Sequence, residues 1–121
     1  MSQLYTLVPL AEGPFAGLDP VTRLVFGVIW DRYKVSWKNV SNSTADSRWC
    51  DYELDGQVFC LFSQAEIGRI VGVTDRTVRS CLEKLRAAGV IDYRKASFKG
   101  ACRYYVTDDT RHYLQTDLTR K

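Results

Sequence analysis

Apolar residues recur along this chain with two periods, and the switches between them mark its elements. Residues 3–8 (QLYTLV) alternate loosely and read as a short strand, ended by Pro9 and the Glu12-Gly13-Pro14 cluster. Next, Leu24, Val25, Val28, Ile29, Arg32 and Tyr33 recur at i, i+1, i+4, i+5, which lays a broad apolar stripe along one side of a helix. Asp19 and Pro20 open that helix, because a carboxylate can accept from the first free N–H groups and proline lacks only an N–H that would go unpaired anyway. The helix is expected to run to about Trp37. Residues 38–48 (KNVSNSTADSR) have no apolar period and read as a loop. In WCDYELDGQVFCLF, two β-rich runs flank Asp55-Gly56, a short-range hairpin signal.

From Ser63 onward the pattern becomes sharper. Ser63 and Glu66 form an S-x-x-E capping box that starts a helix at Gln64, with Ala65, Ile67, Ile70 and Val71 as its buried face. Gly72 ends it, Val73 anchors the turn, and Thr74 caps a second helix from about Asp75 to Ala88. Val78, Leu82 and Leu85 make its i, i+4, i+7 core stripe with Cys81 beside it, and Gly89 is placed to end it in the left-handed conformation. Two strands, about 90–94 and 102–106, follow around a loop containing Ser97 and Gly100, with Ile91, Tyr104 and Val106 inward. Residues 108–121 form a tail with one helical turn or more around Tyr113 and Leu114 and a polar end expected to fray.

That order of elements predicts an α+β fold, a winged helix-turn-helix with an added N-terminal strand and β-hairpin. Such a module is built to place one helix in a DNA major groove. Residues 1–107 would form the DNA-binding domain and 108–121 its C-terminal tail. The 121-residue, 13.8 kDa chain suits one domain. No run of about 18 apolar residues predicts a membrane span, and MSQLYTLVPL lacks the basic region and cleavage pattern of a secretory signal. A cytoplasmic protein is expected.

Cysteine and charge narrow the picture. Cys50, Cys60, Cys81 and Cys102 include no CxxC pair and meet a single histidine, His112, so neither zinc nor any other cofactor is expected. In a reducing interior they act as small hydrophobes. Cys50 and Cys60 would oppose one another only if the hairpin loop had three residues; with two, residue 51 opposes residue 60. Residues 1–62 hold five basic and seven acidic side chains, whereas residues 63–121 hold twelve and seven, so the net charge of +3 divides as −2 and +5. Between Arg76 and Arg103 eight basic residues meet two acidic ones. Positive charge is concentrated where a DNA-facing surface needs it.

If helix 75–88 enters a groove, the residues off its core stripe do the reading: Asp75, Arg76, Thr77, Arg79, Ser80 and Glu83. Arg76 and Arg79 are the strongest candidates, since guanidinium binds guanine O6 and N7 bidentately. Thr77 and Ser80, with the capping residue Thr74 and the amino end of helix 64–71, suit phosphate. Arg94, Lys95, Lys99 and Arg103 belong to the wing and suit the backbone or minor groove. The alternative for Arg79 is an i, i+4 ion pair with Glu83 on a solvated face, a weak and exchangeable contact. Tyr104 reads as core and Tyr105 as exposed; Trp30 and Trp37 share one side of the first helix, where Trp37 could instead serve an interface. His112 reads as a surface residue. No phosphate-binding loop, dinucleotide fingerprint, H-E-x-x-H or nucleophile elbow occurs, so no enzyme activity is expected.

The stretches QLYTLVP, LDPVTRLVFGVIWDRYKVSWKN, DGQVFCLFSQAEI and the block ending in RYYV resemble the N-terminal domain of RepA-type plasmid replication initiators of Gram-positive bacteria. Leu24, Asp31, Arg32, Ser36, Lys38, Asn39, Gly56 and Val58 match that family's pattern, and the resemblance spans roughly residues 3–106. It implies double-stranded origin DNA with repeated sites as ligand, and homodimerisation through this domain. A winged-helix transcriptional regulator using the same surface is the alternative. A module that binds other replication or partition proteins is a second one.

Overall fold

The computed structural model describes residues 7–42, 53–54, 57–95 and 101–119. Helix α1 spans Pro20–Asn42. Asp19 caps it as expected: its carboxylate accepts from the Thr22 N–H at 3.2 Å and the Thr22 hydroxyl at 2.6 Å. The helix does not stop at Trp37. Residues 38–42, expected as loop, continue it; no glycine or proline stands between Gly27 and Gly56, and polar composition alone does not end a helix once it is nucleated. Of the expected N-terminal strand, residues 3–6 lie outside the described residues, and Leu7 and Val8 form no strand. A single 3-10 turn, Gly13–Phe15, precedes α1 and buries Phe15 completely.

Strands β1 (Glu53–Leu54) and β2 (Gln57–Val58) pair antiparallel with Leu54 opposite Gln57, the register of a two-residue loop. The turn residues Asp55 and Gly56 and the thiol of Cys50 lie outside the described residues, and Cys60 is a free, buried thiol. Cys60 begins β3 (Cys60–Ser63), which leaves the hairpin to join a second sheet. Ser63 then starts α2 (Gln64–Val71) through a complete capping box: its hydroxyl accepts from Glu66 N–H at 3.0 Å, and Glu66 Oε1 accepts from Ser63 N–H at 3.2 Å. Gly72 ends α2 in the left-handed conformation (φ 87°). Helix α3 (Asp75–Ala87) is capped by the Thr74 hydroxyl, which accepts from Thr77 N–H at 3.2 Å. Strands β4 (Ile91–Lys95) and β5 (Ala101–Val106) complete an antiparallel sheet in the order β3-β5-β4. Helix α4 (Asp108–Thr119) closes the chain with three turns, more structure than a fraying tail implied.

Helix α1 is the spine of the fold. Val25, Val28, Ile29 and Tyr33 are buried together with Phe26 and Trp30, and α2, α3, β3 and β5 all pack on this helix. The core takes Val78, Cys81, Leu82 and Leu85 from α3 and Ile91, Tyr104 and Val106 from the sheet, as the apolar periods predicted. Arg32 departs from the stripe: it is half-exposed, stacks 3.8 Å from the Phe62 ring centroid and donates to the Leu61 carbonyl at 3.0 Å, tying α1 to β3. Ala65 and Ile70 are exposed rather than buried. At 100° per residue they stand roughly 110° to either side of the direction shared by Ile67, Gly68 and Val71, outside the strip that a short helix can bury.

Tyr105 is buried, against expectation. It lies on the sheet face away from the main core, where Phe59 packs on it at 5.9 Å between ring centroids. Trp37, expected in the core or at an interface, is half-buried against the core. Its ring contacts Tyr33 and carries the Arg111 guanidinium of α4 at 4.5 Å. Tyr113 of α4 also closes over Gly13 and Phe15, so α4 belongs to the packed body.

Candidate nucleic-acid interface

Two buried contacts aim α3. Gly68 lets α2 pass close to the turn, since a Cβ there would stand 2.8 Å from the Val73 carbonyl oxygen. Val78, Leu82 and Leu85 are fully buried where α3 packs on α1, α2 and β4, which fixes the rotation of α3 about its axis. At 100° per residue, Arg76, Arg79, Ser80 and Glu83 then fall within an arc of roughly 100° on the side away from that core stripe. All four are exposed.

The charges on α3 divide into engaged and unengaged groups. Lys84 donates to Asp19 Oδ1 at 3.2 Å, joining α3 to the amino end of α1. Arg86 stacks on Tyr93 at 3.6 Å, pairs with Asp92 at 3.4 Å and donates to the Tyr93 carbonyl, which holds β4 against the end of α3. These two cations were part of the basic count but serve the fold. Among the described residues Arg76 and Arg79 have no hydrogen-bond or ion-pair partner, and the expected alternative pairing of Arg79 with Glu83 within 4.0 Å is absent. The outward face of α3 therefore presents two guanidinium groups that none of the described residues holds.

Thr74 is exposed and Thr77 half-buried; their hydroxyls lie 3.2 Å apart, so the capping pair shares one polar cluster at the amino end of α3. Arg94 and Lys95 are exposed on β4. Arg103 sits directly opposite Arg94 across the β4–β5 ladder but differs in setting. It is half-buried, 5.3 Å from the Phe59 ring centroid, and among the described residues its Nε is buried without a hydrogen-bond partner. Arg94 lies 5.8 Å from the Tyr105 ring centroid. Phe59 and Tyr105 thus lie beside two directly opposed cations, and attraction to the ring faces offsets part of the repulsion between them. Lys99 lies outside the described residues.

Arg69, exposed at the end of α2 beside the exposed Ile70, is a cation that sequence reasoning passed over; its place just before Gly72 was the available signal. Among the described residues no group of three metal-ligating side chains comes together, and no helix is long and apolar enough to cross a membrane.

No family model matches the sequence, and no curated protein matches it. The fold, however, is shared with solved structures. One, described as the N-terminal domain of a DNA-binding protein, superposes with a TM-score of 0.59 at 13% identity over 97% of this chain and 88% of its own. A Rep–DNA complex gives a TM-score of 0.57 at 13% identity, covering 97% and 89%. An MDR initiator gives 0.59 at 11% identity, covering 96% and 90%. The likeness runs over nearly the whole chain, α4 included, and at this identity it is a likeness of fold.

Proposed function

We propose that this chain is a winged-helix domain that binds double-stranded DNA by sequence, with α3 as the recognition helix and the β4–β5 hairpin as the wing. The carrying observation is the outward face of α3, where Arg76 and Arg79 are exposed, without a partner among the described residues, and turned away from the buried stripe. Paired guanidinium forks suit guanine O6 and N7 in a major groove. Ser80, Thr77 and Thr74 would fix the register on phosphate, and Arg94 and Lys95, with Lys99, would add backbone contacts from the wing. Arg103, with part of its guanidinium buried, would act mainly by supporting Arg94.

The setting we propose is initiation at a plasmid replication origin, with the domain acting as a homodimer and as a binding module rather than an enzyme. Two structures that share its fold are a Rep–DNA complex and an MDR initiator, and its sequence resembles RepA-type initiators. A dimer would require half-sites spaced by about one helical turn.

The test begins with duplexes enriched from a random-sequence pool by the wild-type protein. Phosphate neutralisation by several cations makes affinity fall steeply with salt, by roughly a factor of 10³ or more between 50 and 200 mM if six phosphates are engaged. Arg79→Ala should cost about 1–3 kcal/mol on the enriched duplex and relax preference at one base pair. Equal loss on every sequence would reduce Arg79 to a phosphate contact, and salt-independent binding would remove the role of the wing.

A further inference from the structure

We propose that Glu83 is a specificity-determining residue of this interface, selecting cytosine at one position of the bound duplex and disfavouring duplexes that lack it there. The proposal rests on the reading of α3 as a groove-entering helix and adds a base preference that the arginines alone do not supply.

Glu83 is exposed on the same outward arc as Arg76, Arg79 and Ser80. Its obvious partner is Arg79, one turn earlier, yet the two make no ion pair among the described residues, and neither does Glu83 with any other cation. The neighbouring cations on α3 are already engaged, Lys84 by Asp19 and Arg86 by Asp92. A carboxylate without an ion-pair partner among the described residues is thus left beside Arg76 and Arg79 on the outward face of the helix. Seven residues separate Glu83 from Arg76, a rise of about 10 Å, close to three base-pair steps.

Chemistry limits what that carboxylate can meet in a groove. It only accepts hydrogen bonds, while phosphates, guanine O6 and N7, and thymine O4 are also acceptors and would repel it. The exposed donors are the amino groups of cytosine and adenine, and adenine presents its acceptor N7 beside the amino group. Cytosine N4 is therefore the group that fits. On a duplex without cytosine there, Glu83 is desolvated next to acceptors and weakens binding, so it gains discrimination at the expense of general affinity.

The experiment is parallel enrichment from a random-sequence duplex pool with the wild type and Glu83→Gln, followed by anisotropy titration of enriched and random duplexes. The substituted position is exposed, and thermal melting checks that the variant remains folded. The wild type should fix cytosine about three base pairs from a guanine. Glu83→Gln should lower that cytosine preference about tenfold and shift it toward adenine, which glutamine reads through N6 and N7. It should also raise affinity for random duplex several-fold while leaving the guanine preferences intact. Identical preferences for wild type and variant would overturn the role of Glu83 and leave the DNA reading standing. Failure of the wild type to enrich any sequence would overturn the DNA reading itself, and the proposal with it.

Discussion

Replacing Gly68 with alanine sets two opposing effects against each other at the joint that aims α3. In an open helix the change gains about 1 kcal/mol, because glycine loses more backbone freedom on folding. Here the new Cβ would stand 2.8 Å from the Val73 carbonyl oxygen, 3.4 Å from Val78 Cγ2 and 3.5 Å from Asp75 Oδ1. The first contact is with backbone. The Gly68 carbonyl also accepts from Gly72 N–H at 2.7 Å and Val73 N–H at 3.0 Å, so the turn is bonded to the residue that would push it away. Overpacking of this kind costs about 1–3 kcal/mol, leaving a net loss on the order of 1 kcal/mol. Urea denaturation followed by circular dichroism should show a lower midpoint with an unchanged slope, and the melting temperature should fall by roughly 4 °C. Because relief of the clash would tilt α3, affinity for an enriched duplex should also fall at temperatures where the variant is folded. A Gly68→Ala protein that is more stable than wild type by the propensity gain would show that the turn yields freely and that this close approach does not hold α3 in place.

Three further perturbations test other joints. The Thr22 hydroxyl is the main reason the Asp19 carboxyl falls from 3.8 to about 2, with the Thr22 N–H and Lys84 assisting. A folded value below the unfolded one gives stability that is complete above about pH 4 and is lost as pH falls toward 2; wild type should therefore lose stability over that window more steeply than Asp19→Asn, and parallel pH profiles would refute the link. Thr74→Ala removes the acceptor for Thr77 N–H and should cost about 1 kcal/mol in chemical denaturation. Burial pushes the Cys60 thiol up to about 12, so iodoacetamide at pH 8 should leave Cys60 unmodified in the native protein and label it once denaturant is added; rapid native labelling at that site would contradict its packing.

Elements whose signals are local were readable from sequence. The Ser63–Glu66 capping box, the Thr74 cap and the left-handed glycines Gly72 and Gly89 depend on neighbours a few residues away, and each stands where the pattern put it. The α3 stripe was equally clear, because Val78, Leu82 and Leu85 lie on one side of the helix and all are fully buried. What escaped depends on contacts between distant segments. Gly13 adopts φ +56° directly beneath the Tyr113 ring, a contact one hundred residues apart that fixes α4 to the body. Tyr105 is buried because Phe59 covers the second face of the sheet, which strand alternation alone assigns to solvent. Helix α1 passes Trp37 because its continuation needs no apolar period, only the absence of a breaker.

The candidate site divides along the same line. Residue type and helical spacing were enough to place Arg76 and Arg79 on an outward face. They could not show that Lys84 and Arg86, equally basic and on the same helix, are bound to Asp19 and Asp92, nor that Arg103 is partly enclosed. Charge counting alone does not separate such fold-serving cations from Arg76 and Arg79, which have no partner among the described residues.

The central claim is that the outward face of α3 lies in a major groove with its arginines on guanine. Methylation interference tests it most directly, since dimethyl sulfate modifies guanine N7 in that groove. On a wild-type-enriched duplex, N7 methylation of one or two guanines should abolish binding, and Arg79→Ala should lose interference at one of them while keeping it at the other. Binding by the wild type that is indifferent to N7 methylation, or an interference pattern unchanged by substitution of both Arg76 and Arg79, would contradict the account.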